Sequence, residues 1–375
     1  MTANLIPYLS ELYEDVAHNF DGNTPILTNQ NALGMVVEIC HNIRNRGVIR
    51  FLMSCLVAKI DNPDFDVRKP YTKIGTADSF SGRFYDENPV QELINKYNLP
   101  TNPTTAYLTP AFRNRNATMT PDLNLVGRPP QLYQYALDLL DSVYRGAIEP
   151  VELLKEIFRQ LVIFRETNER RINELIAVLR TAKDAQPLSS EQTVILIKQH
   201  LDCPNSSRLP TLILAAAYKA VGGMIGESAR PLNSHNAADS QTGAFGDVEV
   251  TLTNDESIVT CYEMKDKKVT KNDITIAIQK ISQIGNSLDN YVFITTDVID
   301  PLVQEYAHSL YEEVGVEFVI LDCLGFLRHF LHFFHRSRSE FLNAYQALVL
   351  TEPNSSVGQP LKEAFLALRA AAEAG

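Results

Sequence analysis

The sequence predicts an α/β core, a mixed sheet flanked by helices, joined to a large, mainly helical N-terminal region. Apolar residues recur at helical spacing through residues 1–60 and again through 132–200. Residues 212–225 are apolar nearly all round, the mark of a helix buried on every side. Beyond them, short runs of period-2 alternation are interleaved with amphipathic segments, the order of a layered α/β domain.

In the first region, Val36, Ile39, Cys40 and Ile43, then Phe51, Leu52, Cys55 and Leu56, fall on helix faces. Residues 61–131 change character, with Asn, Pro and Gly crowding 75–87 and 99–105. A long irregular stretch of this kind is usually functional or mobile. Long helices with charged faces return at 152–164 and 169–183. After the buried helix, strands are expected at 247–252 and 258–265, a helix at 273–284 closed by Gly285, and a strand at 291–296. Asp300 followed by Pro301 is an N-cap with proline at the first helical position, opening a helix to about Val314. A strand at 316–321 and a helix from near Leu324 complete the layer. The expected organisation is a helical region at 1–205, with its irregular segment at 61–131 suited to recognition, a catalytic domain at 206–350, and a tail or helix at 351–375.

The bulk properties narrow the function. Five cysteines without CxxC spacing suggest neither a disulfide framework nor a zinc site. The N-terminus shows no basic start followed by an apolar run, and no stretch approaches the roughly 18 apolar residues of a membrane span, so a soluble cytoplasmic protein is expected. A net charge of −11 opposes indiscriminate polyanion binding, so any contact with phosphate must be local. The basic groups are Arg44, Arg46 and Arg50; Arg113 and Arg115; Arg165, Arg170 and Arg171; and Lys265, Lys267, Lys268 and Lys271. Each such group is more often a solvated face than a phosphate cradle.

The chemistry is expected on the hairpin. Alternation puts Asp247, Glu249 and Thr251 on one strand face, and Cys261, Glu263 and Lys265 on one face of the next. The polar connection centred on residue 255 pairs residues whose numbers sum to 510, which sets Asp247 opposite Glu263. Facing carboxylates repel by a few tenths to about 1 kcal/mol unless positive charge sits between them. Mg²⁺, which takes one or two carboxylates plus substrate phosphate oxygens, is the natural occupant. Lys265 would then orient the attacking water or stabilise charge developing on phosphorus. The plain alternative is a wet strand face on which Lys265 forms a diagonal salt bridge with Asp247.

Asp247 followed by Glu263-Met264-Lys265, with its flanking elements, resembles the core motif of the PD-(D/E)XK nuclease superfamily, although Gly246 stands where that motif usually has proline. Residues 78–87 and 99–114 are similar to SacI-type restriction endonucleases, a resemblance expected to extend over most of 40–350. It implies a type II enzyme that hydrolyses both strands of a short double-stranded DNA site with Mg²⁺ and works alongside a modification methyltransferase; symmetric cutting of both strands favours a twofold homodimer. Asp247, Glu263 and Lys265 match the motif and take its metal-ligand and catalytic-lysine roles. Glu227, near the end of the buried helix, and Glu249 are candidates for further ligands; a frayed helix end and a solvent-facing side chain are their plain readings.

Arg83, Arg113 and Arg115 are candidates for DNA contact through bidentate guanidinium pairing, against salt bridges with Asp78, Asp86 and Glu87. His235 and Asp239 read as loop residues. The competing functions are a DNA repair or other defence nuclease of the same fold, and a non-catalytic helical interaction protein with a degenerate one.

Overall fold

The computed structural model describes residues 5–19, 24–181, 187–232, 245–255, 257–282 and 288–374. The chain divides into two compact units, Met1–Arg170 and Arg171–Gly375.

The first unit contains α1 (Leu5–His18), α2 (Gln30–His41), α3 (Gly47–Asp61), α4 (Gly82–Tyr85), α5 (Gln91–Tyr97), α6 (Pro130–Tyr144) and the start of α7 (Pro150–Thr181). The two helices expected at 152–164 and 169–183 are thus one, since nothing between them breaks the helical pattern. Helix α3 is buried from Gly47 to Ala58 and forms the centre of this core, with Phe51 stacked on Phe112 at 3.9 Å between ring centroids. Arg50, grouped from sequence with exposed basic residues, is instead fully buried and paired with Asp86 at 2.7 Å. The irregular segment is organised around that pair: Asp86 also accepts from the Thr105 hydroxyl and the Ala106 N–H, while Arg50 donates to the carbonyls of Asn102 and Pro103.

The second unit carries α8 (Ser190–Leu201), α9 (Leu209–Ile225), β1 (Glu227–Ala229), β2 (Val248–Leu252), β3 (Ile258–Lys265), α10 (Lys271–Ile281), β4 (Asn290–Thr295), α11 (Pro301–Ser309), α12 (Tyr311–Val314), β5 (Glu317–Asp322), α13 (Cys323–Phe333), α14 (Arg338–Thr351) and α15 (Gln359–Ala374). It begins before residue 205 because α8 packs on α13, α14 and α15. The last helix is part of this core, burying Leu361, Phe365 and Leu366, and its Leu361 carbonyl lies 3.0 Å from the ring of the buried His200.

The described strands form one mixed sheet in the order β1-β2-β3-β4-β5, antiparallel from β1 to β3 and parallel from β3 to β5. Its two faces sort the side chains by parity. Val248, Val250, Tyr262, Met264, Val292 and Ile294 pack toward the helices of the α9 and α13 side, and Cys261, Tyr291, Phe293, Phe318 and Ile320 pack toward α10 and α11. Strand β4, which has parallel neighbours on both sides, is buried on both faces and carries the apolar run Tyr291-Val292-Phe293-Ile294, as such strands require.

Helix α9 is buried from Leu209 to Ala217, as expected, but its last turn is not, Met224 and Ile225 being exposed; it stops at Gly226, whose φ of 76° places it in the left-handed region. The chain then returns so closely that a Cβ on Gly222 would lie 2.5 Å from the Glu227 carbonyl oxygen. Asp300 caps α11 by accepting from the Leu302 N–H, as expected; the helix ends at Ser309, however, and a separate turn, α12, follows.

Candidate active site

The hairpin register agrees with the expectation at three successive pairs, Val248 with Tyr262, Glu249 with Cys261 and Val250 with Thr260. It shifts between Val250 and Thr251, where an irregularity sets Thr251 against Ile258. Asp247 precedes β2, and its Oδ2 accepts from the Met264 N–H at 2.7 Å, fixing the carboxylate beside β3. Gly246 fits the crossing point: a Cβ there would stand 2.6 Å from the Tyr262 carbonyl oxygen, so this backbone has no room for the customary proline.

Glu263 lies at the centre of a charged row that β3 and α10 build together. Its Oε1 is 3.2 Å from Lys265 Nζ, and its Oε2 is 3.4 Å from Lys280 Nζ and 3.0 Å from the Tyr291 hydroxyl. Lys265 is also 3.2 Å from Asp273 Oδ1. Asp273 serves twice, because its Oδ2 accepts from the Thr270 N–H and closes the capping box that starts α10. Seven residues separate Asp273 from Lys280, two helical turns, so both lie on one stripe of α10 next to its buried face of Ile274, Ala277 and Ile281. The row therefore alternates in sign: Asp273, Lys265, Glu263, Lys280.

Burial opposes the charge on Lys265, but Glu263 and Asp273 outweigh it and raise its pKa above the ordinary lysine value. Burial likewise works against the Asp273 carboxylate, and the Thr270 and Lys265 hydrogen bonds outweigh it and hold its pKa down. The Tyr291 hydroxyl is pushed up by burial and then by Glu263, with Asp247 contributing, which puts both carboxylates near this one phenol. Cys261, between the acids, has its thiol pushed up to about 12 by burial and then by Glu249 and Glu263.

Glu249 shares this face but is engaged elsewhere, its Oε2 3.2 Å from Arg230 and its Oε1 accepting from the Phe245 N–H. Glu227 is not brought to the row. It opens β1 rather than ending a helix, pairs with Leu252, and stands on the α9 side of the sheet. There burial, then Tyr262, then Glu227 itself raise the pKa of the Tyr218 hydroxyl. His235 and Asp239 lie outside the described residues.

Among the described residues no three His, Cys, Asp or Glu side chains gather as a metal cage. A cage is not what Mg²⁺ requires, since it keeps several waters and takes one or two carboxylates. Asp247 and Glu263 are two carboxylates of the kind it takes, Asp247 engaged by the Met264 N–H and Glu263 by Lys265, Lys280 and the Tyr291 hydroxyl.

In the first unit, Arg83 and Arg113 line one 270 Å³ cavity together with Tyr71, Lys73, Tyr107 and Asn114. Arg83 is paired with Glu87 at 2.7 Å, whereas Asp78 and Asp86 are taken by Lys69 and Arg50. Arg115 turns to the Ala111 carbonyl and does not line the cavity.

Asp273, Lys280, Tyr291 and Arg230 were not singled out from sequence. The Thr270-x-x-Asp273 cap and the seven-residue spacing to Lys280 were visible there, but their approach to β3 is a tertiary contact.

A mixed sheet flanked by helices, with Glu263 and Lys265 on β3, Asp247 just before β2, and Asp273 and Lys280 on α10, is an arrangement compatible with a nuclease-like α/β core. Residues 188–296 match the family model described as the SacI restriction endonuclease C-terminal domain. The matched stretch runs from just before α8 to the end of β4 and includes every member of the row. It supports the SacI-like type II restriction endonuclease resemblance, over a narrower range than the 40–350 expected from sequence. A restriction endonuclease domain supports a nuclease acting on DNA in a restriction system. No curated protein matches the chain. Among the described residues no helix is long and apolar enough to cross a membrane.

Proposed function

We propose that this chain is a type II restriction endonuclease that hydrolyses both strands of a short double-stranded DNA site with Mg²⁺, using a PD-(D/E)XK-type active site on β2 and β3. The observation that carries this reading is Lys265 ion-paired to Glu263, with the Asp247 carboxylate bonded to the N–H of Met264 between them in sequence, inside the matched domain.

Asp247 and Glu263 hold the metal. A bound divalent cation supplies Lewis-acid polarisation of the scissile phosphate and favours ionisation of a nearby water. Lys265, whose charged form Glu263 and Asp273 favour, is suited to orient the attacking water or stabilise charge growing on phosphorus. Asp273 and Glu263 fix its ammonium from two sides, so its position is set before substrate arrives. Tyr291 donates to Glu263 and steadies that carboxylate. Glu249, held by Arg230 and the Phe245 N–H, is left out of the metal set, as is Glu227 on the other face.

The first unit would supply recognition through Arg83 and Arg113. A twofold homodimer would cut both strands symmetrically, and a companion methyltransferase would protect host DNA.

Plasmid DNA incubated with protein and Mg²⁺ should give discrete bands, and none in excess EDTA. Ca²⁺, larger and held in looser geometry, should preserve DNA binding while suppressing cutting. Robust cleavage in EDTA would remove the metal from the mechanism, and a smear in place of bands would replace site-specific cutting by general nuclease activity. Arg113→Ala should weaken binding of a cleaved duplex by about 1–3 kcal/mol and relax discrimination at one base pair. If it binds and discriminates like the parent, the reading surface lies elsewhere.

A further inference from the structure

Glu263 has two lysines on it from different elements, Lys265 from its own strand at 3.2 Å and Lys280 from α10 at 3.4 Å. Two like charges on one carboxylate repel each other, so this arrangement is tolerable only while acids surround it. Lys265 is held on its other side by Asp273, whereas Lys280 reaches Glu263 from a neighbouring helix on a four-carbon stem that can swing. A divalent cation taking Glu263 brings two further positive charges to the carboxylate that Lys280 contacts.

We propose that Lys280 is a resident counter-ion of Glu263, which competes with the divalent cation and gives way to it. The inference rests on the metal-site reading above. The competition makes the free protein bind metal more weakly than its carboxylates alone would. It also ties metal binding to DNA, because a displaced ammonium finds its next partner in a backbone phosphate, and binding that favours a common state is reciprocal.

The test is calorimetric titration of Ca²⁺ into the full-length protein without DNA, comparing the parent with Lys280→Met, Lys280→Gln, Lys280→Arg and Glu263→Gln. Both neutral variants should bind Ca²⁺ roughly tenfold tighter, the lower end of what a like charge within 4–6 Å does to occupancy of a site. Lys280→Arg, which keeps the charge, should behave like the parent. A merely structural role for Lys280 predicts the opposite sign, a looser site with weaker binding. Unchanged or weakened Ca²⁺ binding in both neutral variants, alongside a clear loss in Glu263→Gln, overturns the counter-ion role and leaves the metal site standing. Parent-like Ca²⁺ binding by Glu263→Gln overturns both, since the cation would then not use Glu263. The partial exposure of Lys280 on α10 makes both neutral substitutions compatible with folding, and a thermal melt of each variant verifies it.

Discussion

Lys265→Ala is expected to lose DNA cleavage by several orders of magnitude while keeping DNA affinity and thermal stability close to the parent. The ammonium is positioned in the ground state by Glu263 and Asp273, each at 3.2 Å, so its contribution to catalysis is made where charge develops in the transition state. An interaction of that kind lowers the rate without lowering substrate binding. Stability should change by about 0–1 kcal/mol, the range for partly exposed ion pairs, because Glu263 retains Lys280 and Tyr291, and Asp273 retains its bonds to Thr270. Single-turnover cleavage of a bound duplex at saturating Mg²⁺ is the measurement. A variant that still cuts within a few-fold of the parent makes the row an ordinary strand-to-helix ion network, and with it goes the strongest reason for placing the active site on this hairpin.

What could be read in the sequence is what local periodicity encodes. The all-round apolar run of α9, the alternation of β2 and β3, and the Asp300-Pro301 start of α11 each carry their signal within a few residues. The hairpin register was legible because its connection is short and polar, so the pairs Val248 with Tyr262, Glu249 with Cys261 and Val250 with Thr260 followed from counting, whereas Asp247 lies just before the ladder begins. The irregularity at Val250 and Thr251 left no mark, since one extra residue near a turn changes no residue type. Strand β1 escaped notice because Glu227, Ser228 and Ala229 offer no apolar alternation; that strand is defined by its partner, β2. Glu227, two residues past the end of α9, consequently gives no sign in the sequence of its place on β1. Asp273 and Lys280 were hidden for a related reason, since only the crossover from β3 to α10 brings their stripe alongside Glu263 and Lys265. Arg50 shows the limit of composition: beside Arg44 and Arg46 it reads as surface charge, and only its partner 36 residues away reveals a buried hub.

That hub should be the most sensitive polar position in the first unit. Arg50 and Asp86 are both fully buried, and Asp86 satisfies the guanidinium together with the Thr105 hydroxyl and the Ala106 N–H. Asp86→Ala leaves a buried positive charge and two buried donors without their acceptor. Removing one member of a buried pair costs about 3–5 kcal/mol, chiefly because the other charge stays in the interior. Adding Arg50→Met removes the stranded charge and should restore a substantial part of the loss, but not all of it, since Thr105 and Ala106 still lack their acceptor. The two changes must therefore be non-additive, as expected for residues in direct contact. Urea unfolding followed by far-ultraviolet circular dichroism of the parent, both single variants and the double variant closes the cycle, the chain having no tryptophan to report by fluorescence. The same substitution should slacken residues 101–106, and with them the segment that presents Arg83 and Arg113, so DNA binding should weaken while Ca²⁺ binding in the second unit is unchanged. An Asp86→Ala protein within about 1 kcal/mol of the parent would show that water or a rearranged loop replaces the carboxylate, and that the irregular segment is held by its apolar contacts.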